Sequence, residues 1–270
     1  MSNIGKTFES LRAQKRAAFI PFFAAGDPDI PTTAALVKAS AASGADLVEI
    51  GVPFSDPIAD GPVIQASYYR ALDKGFRVQQ LFELAAGLRK DGVTVPLVCM
   101  VSETLVYKRT APVFFATAKK AGFDGLIIPD LPAGYEGDAA SQAANAGLDL
   151  IFLIAPTTTP ERREQIASKS RGFIYYISVT GITGARSVLP ADLGDNVAGI
   201  RKYTKTPVCV GFGISQPEQA KAVSGMADGV IVGSALVRKV EEALAKGLSG
   251  AALVEHVNAL LKDLAQATHG

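Results

Sequence analysis

The stretch "VEIGVPFSDPIADGP", residues 48–62, seats a glutamate inside a short apolar run and then breaks into a loop carrying Asp56 and Asp60 among prolines and glycines. An apolar run of this length ending in turn residues reads as a β-strand. Strand alternation puts Leu47, Glu49 and Gly51 on one face and Val48 and Ile50 on the other. The branched pair suits a layer packed under helices, which turns Glu49 the opposite way.

The same pattern recurs seven more times: "AAFIPFF" from Ala17, "PLVCMV" from Pro96, "GLIIPD" from Gly125, "LDLIFLI" from Leu148, "FIYYISV" from Phe173, "PVCVGF" from Pro207 and "GVIVGS" from Gly229. Alanine-rich segments with helical spacing lie between them, among them "IPTTAALVKASAASG", "APVFFATAKKAG" and "QPEQAKAVSG", each with a polar or proline start and a glycine stop. Eight strands, each followed by a helix, in about 250 residues predict an α/β fold of the (β/α)8 TIM-barrel type, as one domain over residues 1–270. "IGKTFESLRAQKR" reads as an additional N-terminal helix on the barrel bottom, and "AALVEHVNALLKDLAQA" as the closing helix ahead of a frayed end.

Composition bounds the function. The 270 residues are 48% hydrophobic, enough for a large core. A formal charge of +1 gives no reason to expect nucleic acid or an anionic membrane as partner. Cys99 and Cys209 lie inside apolar runs and read as small hydrophobes. No apolar run reaches the roughly 18 residues of a membrane helix, and a signal peptide ending in "AAFIPFFAAG" would delete a core strand, so the cytoplasm is the expected compartment.

Barrels of this type carry their working residues at the carboxyl ends of the strands. The only histidines, His256 and His269, fall in or after the last helix, which disfavours imidazole catalysis and a histidine-bound metal. No lysine stands at a strand end, so a Schiff base is disfavoured. Carboxylates and tyrosines remain. Glu49 is expected to point into the barrel near its mouth, where poor hydration raises its pKa toward neutrality and fits it to give and take a proton. Asp60, in a polar loop, is expected to stay the more readily ionised of the pair. Of Tyr175 and Tyr176 only one can face inward, and pattern alone does not choose.

A second constellation is glycine-rich. "GFGIS" at 211–215 and "VGSA" at 232–235 end the last two strands, where such barrels commonly build a phosphate cradle. Gly213, Gly233 and Ser234 would let backbone amides approach an anion at a helix start. "TGITGARSVLP", residues 180–190, has the length and composition of a lid.

"PFFAAGDPD" at 21–29, "EIGVPFSDPIADGPVIQ" at 49–65, "SVTGITGAR" at 178–186 and "VGFGIS" at 210–215 follow one another along the chain. In order and spacing they resemble the alpha chains of tryptophan synthase, nearly end to end. The resemblance implies retro-aldol cleavage of indole-3-glycerol phosphate to indole and D-glyceraldehyde 3-phosphate, with no metal or organic cofactor in this chain. It implies that Glu49 makes both proton transfers and that Asp60 holds the indole N–H. It further implies that Thr183 closes over the site toward Asp60, and that Gly184 joins Gly213, Gly233 and Ser234 around the phosphate. Tyr175 then lies near Glu49, and Phe22, Met100, Ile127, Leu153 and Phe212 line an indole pocket.

The implied partner is a beta chain carrying pyridoxal phosphate, in an alpha2-beta2 complex, with Asp56 and Pro57 near the contact. The alternative is the same lyase working alone and releasing free indole. One departure from the family pattern, "MVSETLVYKRT" after the third strand, falls on the side facing that partner.

Overall fold

The computed structural model describes residues 1–177, 189–211 and 213–270. Among the described residues there are nine strands, interspersed with helices: β1 (Ala18–Ala24), β2 (Val48–Gly51), β3 (Leu97–Met100), β4 (Gly125–Ile127), β5 (Asp149–Ile151), β6 (Leu153–Ile154), β7 (Ile174–Ile177), β8 (Val208–Gly211) and β9 (Gly229–Val232). They form one sheet in the order β5-β4-β3-β2-β1-β9-β8-β7-β6, and its pairings are parallel.

β5 and β6 are the single run predicted as "LDLIFLI", interrupted at Phe152. Its first half pairs with β4, Gly125 opposite Asp149, and its second half with β7, Leu153 opposite Tyr175. The Phe152 N–H donates to Ser170 Oγ at 3.1 Å, while its carbonyl accepts from Tyr175 N–H at 3.0 Å. One run thus serves two neighbours and brings the ends of the sheet together as a (β/α)8 barrel. The eight predicted strand runs stand, and the ninth strand arises from this shared one.

The helices are α1 (Asn3–Ala13), α2 (Ile30–Ala42), α3 (Pro62–Asp73), α4 (Val78–Lys90), α5 (Glu103–Arg109), α6 (Ala111–Ala121), α7 (Ala139–Asn145), α8 (Pro160–Lys169), α9 (Leu193–Arg201), α10 (Pro217–Ser224), α11 (Ser234–Ala245) and α12 (Gly250–His269). Proline occupies the first turn of α2, α3, α6, α8 and α10, where its missing N–H costs no hydrogen bond. Gly122, at φ 105°, ends α6 in the left-handed conformation that a side chain resists. Among the described residues three strands are followed by two helices where simple alternation gives one: α3 and α4 after β2, α5, formed within "MVSETLVYKRT", and α6 after β3, and α11 and α12 after β9.

Two apolar layers follow from the alternation. Val48, Ile50, Leu97 and Cys99 pack outward beneath the helices, while Leu47, Val98, Ile127, Phe173 and Cys209 fill the barrel. Ile4, Phe8 and Leu11 of α1 join the inner layer and stop the barrel from below. Fully burying a side chain of this kind contributes about 1.5–3 kcal/mol. Asn3 Nδ2 donates to Asp124 at 2.8 Å, and Asp124 also takes Arg89 at 2.7 Å. The far end is tied too: α12 runs to His269, whose Nε2 lies 2.9 Å from Asp46, so the fraying expected there is replaced by a hydrogen-bonding contact. Among the described residues no helix is long and apolar enough to cross a membrane.

Candidate active site

With its lower half packed, the barrel opens only at the carboxyl ends of its strands, into a cavity of about 270 Å³. Phe22 comes from β1, Glu49 from β2, Met100 from β3, Ile127 from β4, Leu153 from β6, and Tyr175 and Ile177 from β7. Asp60 enters from the loop after β2, and Gly213, Gly233 and Ser234 from the loops after β8 and β9. Glu49 and Asp60 are the only charged side chains among the described residues lining it. Apart from the Tyr175 and Ser234 hydroxyls and the glycine backbone, the remaining described lining is apolar, so the cavity suits a flat apolar body with a few polar attachment points.

Glu49 is 1% exposed, and its Oε2 is buried without a hydrogen-bond partner. Burial, followed by the charge of Asp60, pushes its pKa up to about 8. At neutral pH the group is therefore largely protonated, and among the described residues lining the cavity there is no lysine or arginine to fix its charge. Leu47 and Glu49 face the barrel while Val48 and Ile50 pack outward, as the alternation of β2 predicts.

Asp60 is half-buried, and its pKa rises to about 7, first through burial and then through the charge of Asp130. It remains the more acidic of the two carboxyls, though its loop is a drier setting than its polar sequence suggests. Gln65 pins that loop, donating from Nε2 to the Asp60 carbonyl at 2.7 Å. Asp130 follows β4 and accepts from Ser102 Oγ at 2.6 Å and from the Glu103 N–H at 2.8 Å, capping α5 from outside. Asp56 and Pro57 line a smaller cleft beside the cavity, together with Asp130 and Tyr68.

Tyr175 is the inward member of its pair: it joins the inner layer and the cavity wall, while Tyr176 packs in the outer layer. Burial and the nearby Glu49 and Asp60 charges raise its hydroxyl pKa well above the usual range, so it stays protonated. A Cβ on Gly211 would lie 2.4 Å from the Tyr175 hydroxyl, which explains the glycine at that strand end.

Gly213 holds φ 83°, a left-handed conformation suited to glycine. Gly233 caps α11 with no side-chain hydrogen bond to its first turn; the Leu236 N–H of that turn donates to the Gly233 carbonyl at 2.9 Å, while Gly233, Ser234 and Ala235 stand on the cavity wall. A Cβ there would meet Phe22 only at 3.5 Å, an ordinary contact, so sterics do not demand glycine at 233. The positive end of a twelve-residue helix lies on the same cavity, at the end of β9 with only β1 between it and β2, and favours an anion.

Glu49, Asp60, Phe22, Met100, Ile127, Leu153, Tyr175, Gly213, Gly233 and Ser234, all singled out in the sequence, meet in this one cavity. Thr183, Gly184 and Phe212 lie outside the described residues, as does most of the loop 180–190. Sequence reasoning missed Ile64, Pro129, Ile177, Ile214 and Ile231 in the wall and Asp130 behind Asp60. Ile177 shares parity with Tyr175, a signal present in the sequence, whereas Asp130, within "GLIIPD", carries no local sign that it reaches Asp60. Among the described residues no group of three or more histidines, cysteines or carboxylates is placed to hold a metal ion.

Fold and cavity together define a (β/α)8-barrel protein with a buried acid at the mouth, its Oε2 without a hydrogen-bond partner, in the place where barrel enzymes work. Residues 8–269 match the family model of the tryptophan synthase alpha chain. The chain is 48% identical over 254 residues to the tryptophan synthase alpha chain of Rhodopirellula baltica, covering 93% of this chain and 91% of that one. It is 44% identical over 243 residues to that of a Synechocystis strain, covering 90% and 92%. Among solved structures it resembles tryptophan synthase subunit alpha from Legionella pneumophila with a TM-score of 0.91 at 34% identity, over 99% of this chain and 98% of that one. A Mycobacterium tuberculosis tryptophan synthase chain gives 0.90 at 36% identity, over 100% and 99%. The chain belongs to the tryptophan synthase alpha chain family, an enzyme family, and its role is that of the alpha subunit in tryptophan biosynthesis.

Proposed function

We propose that this chain cleaves indole-3-glycerol phosphate to indole and D-glyceraldehyde 3-phosphate by a retro-aldol reaction. The carrying observation is the Glu49 carboxyl, buried, lacking a partner at Oε2 and with its pKa raised to about 8, in a largely apolar cavity that is also lined by a glycine-bearing helix start. Protonated Glu49 gives its proton to C3 of the indole, leaving positive charge on the ring nitrogen. The resulting carboxylate takes the proton of the adjacent glycerol hydroxyl. The C–O bond becomes a carbonyl, the C–C bond breaks, and its electron pair returns to the ring. One proton is given and one recovered, so the carboxyl ends as it began.

In this reading Asp60 accepts the indole N–H and offsets the charge developing on the ring. Phe22, Met100, Ile127 and Leu153 hold the ring by apolar contact, and Tyr175 packs beside Glu49. The amides at Gly213, Gly233 and Ser234, with Gly184, grip the phosphate, and Thr183 and Phe212 complete the pocket. The chemistry calls for no metal or organic cofactor in this chain. Indole then passes to a beta chain carrying pyridoxal phosphate, in an alpha2-beta2 complex docked near Asp56 and Pro57. The chain acts in the cytoplasm as one barrel domain.

An indole-release assay on Glu49→Gln tests the assignment. Turnover should fall by about 10²- to 10⁴-fold, the usual worth of a positioned acid-base group, with fold and substrate binding kept. Equal rates for variant and parent would refute it.

A further inference from the structure

At the opposite end of the barrel, α1, α9 and α10 finish beside a pocket of about 220 Å³ that contains neither Glu49 nor Asp60. Arg12, Lys15, Arg16 and Arg201 line it over a floor that includes Phe8 and Leu11. It adjoins a shallower pocket of about 260 Å³ lined by Arg12, Arg201, Thr204, Lys205, Thr206 and Asp228. Five cationic side chains thus surround one carboxylate, in a chain whose overall formal charge is only +1.

Cations are at home where helices end, because terminal carbonyls carry partial negative charge. Part of this cluster is accounted for in that way or by pairing. Arg12 donates to the Lys205 carbonyl at 3.4 Å, and Arg201 meets Asp228 at 3.0 Å. Asp228 is further engaged by the Val208 N–H at 2.9 Å. The remainder is not accounted for. Arg16 gives Nη1 to Gln14 at 3.0 Å, but its Nε is buried with no partner, an arrangement that costs free energy unless an acceptor arrives. No hydrogen bond or ion pair reaches the Lys15 ammonium among the described residues, and Lys15 sits at φ 55°, in the left-handed turn that ends α1.

We propose that this basal pocket binds a small multivalent oxyanion of the phosphate class, with the Arg16 Nε, the Lys15 ammonium and Arg12 as its donors. A guanidinium with an unsatisfied N–H is suited to a tetrahedral oxyanion, and two adjoining cationic hollows fit two linked phosphoryl groups better than one. The site is built only from side chains at the strand-start end of the barrel, so its occupant does not compete with a ligand at the mouth.

Calorimetric titration with inorganic diphosphate tests this. Saturable binding is expected, weakened by salt, unchanged when excess glycerol phosphate is present, and reduced at least tenfold by Arg16→Gln and separately by Lys15→Gln. Lys15→Gln alters an exposed side chain, so it keeps the test sound if Arg16→Gln perturbs the fold. Absence of binding to the parent, displacement by glycerol phosphate, or equal affinity in parent and both variants would each overturn the proposal.

Discussion

Gly51 leaves no room for a side chain beside Phe22: a Cβ at position 51 would lie 2.5 Å from the Phe22 Cζ, and also 2.5 Å from the Tyr68 hydroxyl. Phe22 lines the cavity, so a methyl group at Gly51 would press on the wall that faces the ligand. Overpacking of this kind costs about 1–3 kcal/mol. Gly51→Ala should lose about that much stability in urea and raise KM for indole-3-glycerol phosphate more than it lowers kcat. Adding Phe22→Leu should recover part of both. Unchanged stability in Gly51→Ala would mean that Phe22 and Tyr68 yield freely.

Stability should fall as pH rises, and Glu49 should be a main cause. The folded chain holds the Glu49 proton up to about pH 8, whereas the unfolded chain releases it near 4.5. Between these values the folded state binds more protons, so stability is fully present below 4.5, declines through the window and levels off above about 8. Asp60 adds the same sign between 3.8 and about 7. Urea unfolding at pH 5 and pH 8 should show Glu49→Gln losing less stability than the parent, by on the order of a few kcal/mol. Parallel losses in both proteins would contradict the raised value.

Asp130 should tune Asp60. Its charge is the second cause, after burial, of the raised Asp60 value. Asp130→Asn removes that charge and retains an acceptor for Ser102 or Glu103, so the Asp60 pKa should move down from about 7. Carbon-13 NMR titration of the Asp60 carboxyl measures the shift directly, and an upward or absent shift would exclude the coupling.

A fourth prediction concerns the loop after β1. Asp27 is buried and receives both Nε and Nη2 of Arg70, at 2.9 and 2.8 Å. Arg70→Met strands that carboxylate and should cost about 3 kcal/mol at pH 7. Arg70→Met combined with Asp27→Asn should be clearly more stable than Arg70→Met alone in urea unfolding. No recovery would assign the cost to lost packing of the arginine stem.

Much of this architecture could be read from residue order because parallel strands buried on both faces announce themselves as short apolar runs. "VEIG" also fixed the facing of Glu49 by alternation alone. Tyr175 and Tyr176 could not be separated in this way, since both faces of β7 are apolar and burial does not distinguish them. The interruption at Phe152 leaves no local mark, because it depends on which neighbours the two halves of one run find when the sheet closes. The drier setting of Asp60 escaped for a related reason: its loop is polar in sequence, and Asp130, which raises its pKa, arrives from seventy residues further on. Long-range electrostatics has no periodicity to read.

The packing of α1 against the inner layer gives the barrel a single aperture. Ile4, Phe8 and Leu11 leave no through-passage, so what enters and what leaves must share one rim. In the proposed cleavage, of the two fragments formed inside, the one held by the helix start at that rim would block the deeper one from the bulk. Any route carrying the deeper fragment to another protein must therefore begin at the same doorway, beneath whatever surface is seated over it.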